Sequence, residues 1–183
     1  KGLEKLGAKI TLESGYILAE SDQLVGSNIN LEYPSVGATG NILMAAVLAK
    51  GTTVMGNAAK EPEIVQLCEF LNQMGASIKG IGSTKITIEG VSALKPANIE
   101  VIPDRIEAGT FLIAGALLGE IKLEAVNVNH LDSVISKLKD CGCSLESSTN
   151  SIRISRADRL APVDLTTDVF PGFATDLQAQ WVA

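Results

Sequence analysis

The chain has 183 residues, of which 46% are hydrophobic and 4% aromatic, and its formal net charge is −6 at pH 7. This composition indicates a globular protein with one sizeable core or two small ones. The acidic balance and the lack of basic runs argue against nucleic acid as a partner. The longest apolar run, residues 42–49, is far too short to span a bilayer, so no membrane partner is predicted.

In chain order, the sequence repeats one supersecondary unit three times, at shifts of 67 to 68 residues. The first copy begins with the end of an amphipathic helix, marked by Leu3 and Leu6. The second and third copies have complete amphipathic helices with apolar residues at the i, i+3, i+4, i+7 spacing. These residues are Ile64, Leu67, Cys68, Leu71 and Met74 in one helix, and Leu131, Val134, Ile135, Leu138 and Cys141 in the other.

Each amphipathic helix is predicted to end at a glycine, Gly7, Gly75 or Gly142, because glycine adopts the left-handed C-cap conformation at least cost. A β-hairpin follows every time. Its first strand is marked by Ile10 and Leu12, by Ile78 and Ile81, and by Leu145, and its second strand is predicted at residues 16–19, 85–88 and 151–154.

A second kind of helix, apolar on nearly all sides, is predicted at residues 41–49, 110–118 and 176–183. The run 42–49 has no polar face, so we expect it inside the domain with sheets around it. Short strands should follow at 52–55 and 120–123. The predicted fold class is therefore α/β, built from repeated units with helices buried and sheets outside. Because both end units are cut, we expect an internal piece of a longer protein.

Few residues stand out as carriers of chemistry. The turn at 33–41 leads into a buried helix, where free N–H groups could bind an anion, although Ser, Thr and Asn are also ordinary caps. Asp176 could be a general base or a helix-start acid. Arg105 could bind a phosphate, or pair with Asp104 and Glu107 to pin a crossing between domains. Glu61, before Pro62, indicates a helix start.

Histidine and cysteine give little indication of catalysis. His130 is the only histidine, so no metal site or triad based on histidine can form within the chain. Three cysteines, with Cys141 and Cys143 in a C-G-C pair, do not indicate a disulfide framework. Cys68 and Cys141 fall on apolar helix faces and are expected to be structural. A reducing, cytoplasmic location is predicted.

Four motifs in order resemble those of the UDP-N-acetylglucosamine enolpyruvyl transferases. They are residues 35–39 (SVGAT), 57–65 (NAAKEPEIV), 103–111 (PDRIEAGTF) and 176–180 (DLQAQ). The resemblance implies a two-domain, inside-out α/β barrel-like fold, with residues 1–101 ending the sugar-nucleotide domain that bears the reactive loop, and 102–183 starting the second. It implies a cytoplasmic enzyme of peptidoglycan synthesis, and hence of cell shape and division.

The implied reaction transfers the enolpyruvyl group of phosphoenolpyruvate to the 3-hydroxyl of UDP-N-acetylglucosamine and releases phosphate, without a cofactor or metal. By the same resemblance, Ser35, Val36 and Gly37 hold the uridine diphosphate end. Asp176 contacts the sugar and takes the proton from its hydroxyl. Glu61, Asp104 and Arg105 fall on motif positions at the inter-domain cleft, with binding and structural roles both open.

The sequence departs from the family pattern in two places and lacks some of its parts. Ala174 stands where the family usually has proline, and Gly40 where it commonly has a larger residue. The family's reactive loop, with its Cys or Asp and an Arg, falls outside the chain, so the isolated chain is predicted to be inactive. Self-association through the cut units is also predicted.

Two other functions remain open at this point. The related enzyme that acts on shikimate 3-phosphate has a similar fold, although the motifs at Ser35–Gly37 and at 104–107 favour the UDP-sugar. A non-catalytic repeat module that only binds partners is the alternative from a different class. Binding of UDP-N-acetylglucosamine or shikimate 3-phosphate would separate the two enzymes.

Overall fold

The computed structural model describes residues 1–183, and the chain forms two compact units, Lys1–Glu100 and Val101–Ala183. Each unit has a hydrophobic core of its own. None of the helices has the length and apolar character needed to cross a membrane.

The first unit contains three helices and six strands. The helices are α1 (Gly2–Lys5), α2 (Val36–Ala46) and α3 (Pro62–Gln73), and the strands are β1 (Lys9–Glu13), β2 (Tyr16–Glu20), β3 (Asn28–Asn30), β4 (Thr52–Gly56), β5 (Ser77–Lys79) and β6 (Lys85–Glu89). Strands β1 and β2 form a two-stranded antiparallel sheet. The other sheet has the order β3-β4-β6-β5, in which only the β3–β4 pair is parallel.

The second unit contains three helices and three strands. The helices are α4 (Arg105–Leu118), α5 (Asp132–Asp140) and α6 (Gln178–Val182), and the strands are β7 (Glu120–Glu124), β8 (Ser144–Ser147) and β9 (Ser151–Ser155). The sheet is antiparallel with the order β7-β9-β8. Two short 3₁₀ turns, Val128–His130 and Thr175–Leu177, precede α5 and α6.

The structure confirms the predicted repeat. Gly7, Gly75 and Gly142 follow the ends of α1, α3 and α5 with φ angles of 98°, 100° and 94°, and a hairpin comes next each time. These angles lie in the left-handed region, where glycine has no side-chain penalty. The apolar stripes of α3 and α5 face their cores, with Ile64 and Leu138 among the buried residues. The predicted α/β class is therefore correct.

The all-round burial predicted for the second kind of helix is wrong in part. Helix α2 buries Ile42 and Leu43, but Met44 on the helix and Leu48, just after its end, are about half exposed. On α4, Leu118 is exposed in the same way. One face of each helix packs on the core of its own unit, and the other face is not covered within that unit. Both helices also begin earlier than predicted, because their caps lie upstream.

The first hairpin differs from the other two in burial. Ile17 on β2 is 71% exposed, whereas the equivalent Ile86 on β6 and Ile152 on β9 are 0% and 1% exposed. Strand β6 lies between β4 and β5, and β9 lies between β7 and β8, but β2 pairs only with β1. The burial of this strand face therefore depends on the neighbouring strand and helix of the same repeat.

Candidate functional site

The predicted site residues cluster at three helix starts that occupy equivalent places in the repeat. Ser35 precedes α2, Asp104 precedes α4, and Ala174 precedes the 3₁₀ turn that leads into α6. These starts differ in how the free N–H groups of the first turn are satisfied.

The start of α2 is capped by a neutral side chain. The Ser35 hydroxyl accepts a hydrogen bond from the Ala38 N–H at 3.2 Å, and the Ser35 carbonyl accepts one from the Thr39 N–H at 2.9 Å. Val36 and Gly37 are exposed, and the first turn contains no acidic residue. The positive end of the helix dipole and its free N–H groups therefore face solvent without a competing carboxylate. This arrangement can hold an anion.

A groove of about 290 Å³ lies beside this helix start. It is lined in part by Lys1, Lys5, Tyr33 and Ala38. The Lys1 ammonium lies 3.4 Å from the Glu32 carboxylate at the surface. Glu32 lines the groove as well, so the groove's side chains carry two positive charges against one negative charge, and this net positive charge favours a negatively charged ligand there.

The start of α4 is capped by a carboxylate. Oδ1 of Asp104 accepts hydrogen bonds from the Ile106 N–H at 2.7 Å and the Glu107 N–H at 3.2 Å. Asp104 therefore caps the helix through Oδ1. The carboxylate occupies the place where an external anion would bind.

Arg105 packs against an aromatic ring that the sequence did not point to. Its guanidinium carbon lies 5.5 Å from the centroid of the Phe170 ring, a cation–π distance. The ring of His130 meets Phe170 edge to face at 6.4 Å, and Nε2 of His130 lies 3.1 Å from Nδ2 of Asn127. Phe170 belongs to the segment that leads to Asp176, so this stack links Arg105 to that segment.

Asp176 lies in the 3₁₀ turn Thr175–Leu177, and its side chain is exposed. The Thr175 hydroxyl donates to Oδ2 of Asp176 at 3.4 Å. The turn is anchored from below by Leu177, which is buried, and by Phe173, whose ring meets the Trp181 ring edge to face at 5.4 Å. The carboxylate is therefore open to solvent, while the turn that carries it is held by buried apolar side chains. This arrangement suits a group that exchanges a proton with a ligand.

Glu61 is a buried acid at the start of α3. It precedes Pro62, the first residue of the helix, and only 6% of its surface is exposed. Its side chain makes no capping hydrogen bond, and Oε2 is buried without a hydrogen-bond partner. The prediction of a helix-start acid is correct in position, but the carboxylate does not cap the helix.

Of the two cysteines expected to be structural, Cys68 is buried in the core of the first unit and Cys141 is partly buried. Burial, with a smaller contribution from the Glu69 carboxylate, raises the pKa of the Cys68 thiol to about 11. Burial, together with Cys143 and Asp140, also raises the pKa of Cys141 above its usual value. A thiol with a raised pKa is mostly protonated at neutral pH and is a poor nucleophile. No three His, Cys, Asp or Glu side chains come together in a metal-binding arrangement.

Unit by unit, Ser35, Val36, Gly37 and Glu61 lie in the first compact unit, and Asp104, Arg105 and Asp176 lie in the second. The sequence patterns did not identify Thr39, Asn57 and Phe170, which contact the segments that carry the predicted site residues. Their only signal was membership of the quoted motifs in the case of Thr39 and Asn57, and proximity to Asp176 along the chain in the case of Phe170.

Comparisons with known proteins agree on one family. A family model described as EPSP synthase (3-phosphoshikimate 1-carboxyvinyltransferase) matches residues 1–183. UDP-N-acetylglucosamine 1-carboxyvinyltransferase of Thermodesulfovibrio yellowstonii is 51% identical over 100% of this chain and 44% of its own length. Enzyme 1 of that name from Caldanaerobacter subterraneus is 52% identical over 100% of the chain and 44% of its own length. The chain thus spans less than half of these relatives.

Solved structures show a similar fold. The enolpyruvyl transferase NikO from Streptomyces tendae matches with a TM-score of 0.87 at 22% identity, over 98% of this chain and 46% of NikO. EPSP synthase from Acinetobacter baumannii matches with a TM-score of 0.62 at 26% identity, over 90% of this chain and 40% of that protein.

Proposed function

Because this chain belongs to the EPSP synthase family of enolpyruvyl transferases, we propose that it forms part of an enzyme acting on UDP-N-acetylglucosamine. The full-length protein transfers the enolpyruvyl group of phosphoenolpyruvate to the 3-hydroxyl of the sugar and releases phosphate, a step of peptidoglycan synthesis in the cytoplasm. Relatives about half identical over the whole chain carry the corresponding name, which supports this substrate over shikimate 3-phosphate.

The observation that carries the proposal is the start of α2. Its cap is a neutral hydroxyl, its first turn has no acidic residue, and the adjacent groove is lined by two lysines, Lys1 and Lys5, against one carboxylate, Glu32. A diphosphate placed there accepts hydrogen bonds from the N–H groups of Val36 and Gly37 and is stabilised by the helix dipole.

Asp176 is the proposed general base. It accepts the proton of the sugar 3-hydroxyl as that oxygen attacks C2 of phosphoenolpyruvate, while the C2=C3 electron pair takes a proton at C3 from the Cys or Asp of the reactive loop, which lies outside the chain. Loss of a proton from C3 and of phosphate from C2 then restores the double bond and leaves the enolpyruvyl ether. Its exposure and its packed support are consistent with this role. Arg105, steadied by Phe170, provides a planar cation suited to a phosphate or carboxylate of the substrates. Glu61 and Asp104 are proposed to support the site structurally.

In the proposed domain organisation, residues 1–101 end the domain that binds the sugar nucleotide, and residues 102–183 start the second domain. The reactive loop of the family lies outside the chain. We therefore expect the isolated chain to release no phosphate from UDP-N-acetylglucosamine and phosphoenolpyruvate. Steady-state phosphate release by the isolated chain would contradict this expectation.

The substrate is tested with the full-length protein. Thermal unfolding is measured with UDP-N-acetylglucosamine or shikimate 3-phosphate at matched concentrations, because a ligand that binds only the native state raises its apparent stability. We expect the UDP-sugar alone to raise the melting temperature and to support phosphate release with phosphoenolpyruvate. Stabilisation by shikimate 3-phosphate alone would establish the other enzyme, and stabilisation by neither would favour a non-catalytic module.

The isolated chain is also proposed to self-associate. Ile17 on β2, Met44 on α2 and Leu48 just after α2 are exposed apolar side chains in one unit. Exposed apolar side chains favour association in water where they form a patch. Light scattering that finds a clean monomer at high concentration would contradict the proposal.

A further inference from the structure

Two side chains tie both ends of the Ser35–Gly37 turn to one connection. Nδ2 of Asn57 donates a hydrogen bond to the carbonyl oxygen of Leu31 at 3.0 Å, four residues before Ser35. The hydroxyl of Thr39 accepts a hydrogen bond from the Ala59 N–H at 3.0 Å, four residues after Ser35. The connection between β4 and α3, residues 57–61, therefore holds the turn from both sides.

These contacts are well placed to fix the turn. Thr39 is 0% exposed, and Ala58 and Ala59 are also buried, so water does not compete for the Thr39 contact. The Thr39 N–H in turn donates to the Ser35 carbonyl at 2.9 Å. A continuous chain of hydrogen bonds thus runs from Ala59 through Thr39 to the cap residue. Losing a buried partner leaves a donor unsatisfied, which costs more than an exposed hydrogen bond gains.

The second unit provides an internal comparison. The residue four positions after the cap Asp104 is Ala108, which is buried and has no hydroxyl. The residue after β7 is Ala125 with φ 55°, and the residue after β4 is Asn57 with φ 54°. The backbone shape therefore recurs without the amide or the hydroxyl. The repeat does not need these polar groups, and they occur where the neutral Ser35 cap leaves a helix start open to an anion.

We propose that Thr39 and Asn57 are positioning residues that hold the Ser35–Gly37 turn in the shape that binds the diphosphate of the UDP-sugar. The inference rests on the proposed function of that turn. Neither side chain needs to touch the ligand. They act by keeping the N–H groups of Val36 and Gly37 directed at one point, so that binding does not have to order the turn.

The test uses the full-length protein and three substitutions, with UDP-N-acetylglucosamine as the probe. Thr39→Val removes the hydroxyl at nearly constant volume, Thr39→Ser retains it, and Asn57→Gly retains the left-handed backbone but removes the amide. We expect Thr39→Val to raise the KM for the UDP-sugar about tenfold, as the loss of one buried hydrogen bond predicts. Thr39→Ser should keep the KM for the UDP-sugar near the wild-type value. Asn57→Gly should raise this KM about threefold to tenfold.

The KM for phosphoenolpyruvate should change less than about twofold in all three variants, since a local reshaping of the turn affects one substrate only. Thr53→Val is the matched control. Thr53 is equally buried, at 0% exposed, but its hydroxyl has no hydrogen-bond partner. Removing it should leave both KM values unchanged.

Three results would count against these statements in different ways. If the wild-type protein does not bind the UDP-sugar, the proposed function of the turn is wrong. If the wild type binds the UDP-sugar and both Thr39→Val and Asn57→Gly bind it as tightly as the wild type does, the positioning inference is overturned. It is also overturned if both KM values rise together and Thr39→Ser does not restore them, because that is the effect of a general loss of structure.

Discussion

The starts of α2 and α4 occupy equivalent places in two copies of one repeat, yet they are capped by different chemistry. Ser35 offers a neutral hydroxyl to one N–H, and Asp104 offers a carboxylate to two. The repeat determines where a helix begins, and the cap residue determines whether that beginning can accept an external anion. A charged cap satisfies the dipole internally, whereas a hydroxyl cap leaves that interaction to a ligand.

The third equivalent start has another arrangement. Ala174 provides no side-chain cap, and the acidic group, Asp176, lies two residues later in an exposed 3₁₀ turn. The carboxylate is thereby moved from the capping position to a place where it can meet solvent or substrate. Three copies of one local structure thus carry a proposed anion site, a self-capped helix start and a proposed general base.

The largest effect is expected from removing that base. Asp176→Asn keeps the size of the side chain and its capacity to accept hydrogen bonds, but the amide cannot take a proton. We expect kcat of the full-length enzyme to fall by about 10²–10⁴-fold, the usual contribution of a general base. Phosphate release at saturating substrates measures it, and thermal unfolding serves as the control for folding. Retention of most of the wild-type kcat would remove Asp176 from the mechanism.

The next largest effect should come from giving α2 the kind of cap that α4 has. Ser35→Asp can still accept the Ala38 N–H, so α2 should remain capped. Its charge faces the bound diphosphate, and like charges in contact cost several kcal/mol, so the affinity for the UDP-sugar should fall about 100-fold or more. Isothermal titration measures this loss.

Ser35→Asn is the matched control, because asparagine is an equally good cap without charge. It should bind the UDP-sugar within about threefold of wild type, the range of a small change in cap geometry. If Ser35→Asn and Ser35→Asp lose affinity to the same extent, the hydroxyl itself and not the neutral charge is what the ligand requires.

A smaller contrast is expected at two glycines, each five residues after its cap. A methyl group on Gly40 would lie 3.7 Å from Ile64 Cδ1, an ordinary contact, whereas one on Gly109 would lie 2.7 Å from Leu177 Cδ1. Gly40→Ala should stabilise the first unit by about 0.5–1 kcal/mol through helix propensity. Gly109→Ala should destabilise the second by about 1–3 kcal/mol through overpacking. Urea unfolding of the chain measures both changes in unfolding free energy. If the two substitutions changed it in the same direction, the expected contrast would be contradicted.

Much of this architecture follows from local patterns. The glycines after α1, α3 and α5 and the alternation in β6 and β9 predict helix ends and hairpins within a few residues, and those predictions are confirmed. Ile81 is an exception, because it lies in the turn after β5 and not in the strand. The expected absence of a solvent face on α2 is wrong, because periodicity describes the helix and not what lies beside it. The contacts of Asn57 with Leu31, of Thr39 with Ala59, and of Arg105 with Phe170 join residues distant in sequence, and no local pattern records them.

The smallest difference is expected between two single variants that each remove one cap, Ser35→Ala and Asp104→Ala, when their free energies of unfolding are compared. Ser35→Ala loses one hydrogen bond to the helix, and should cost about 1 kcal/mol of unfolding free energy in the first unit. Asp104→Ala loses two hydrogen bonds and a favourable charge at the positive end of the dipole, and should cost about 2 kcal/mol in the second. Urea unfolding at low and high salt separates the contributions, because salt screens only the charge. The excess cost of Asp104→Ala should shrink at high salt, while the cost of Ser35→Ala should not. If both costs were equal and independent of salt, the carboxylate of Asp104 would contribute no more than the hydroxyl of Ser35, and its charge could not explain why the two helix starts differ in their capacity for anions.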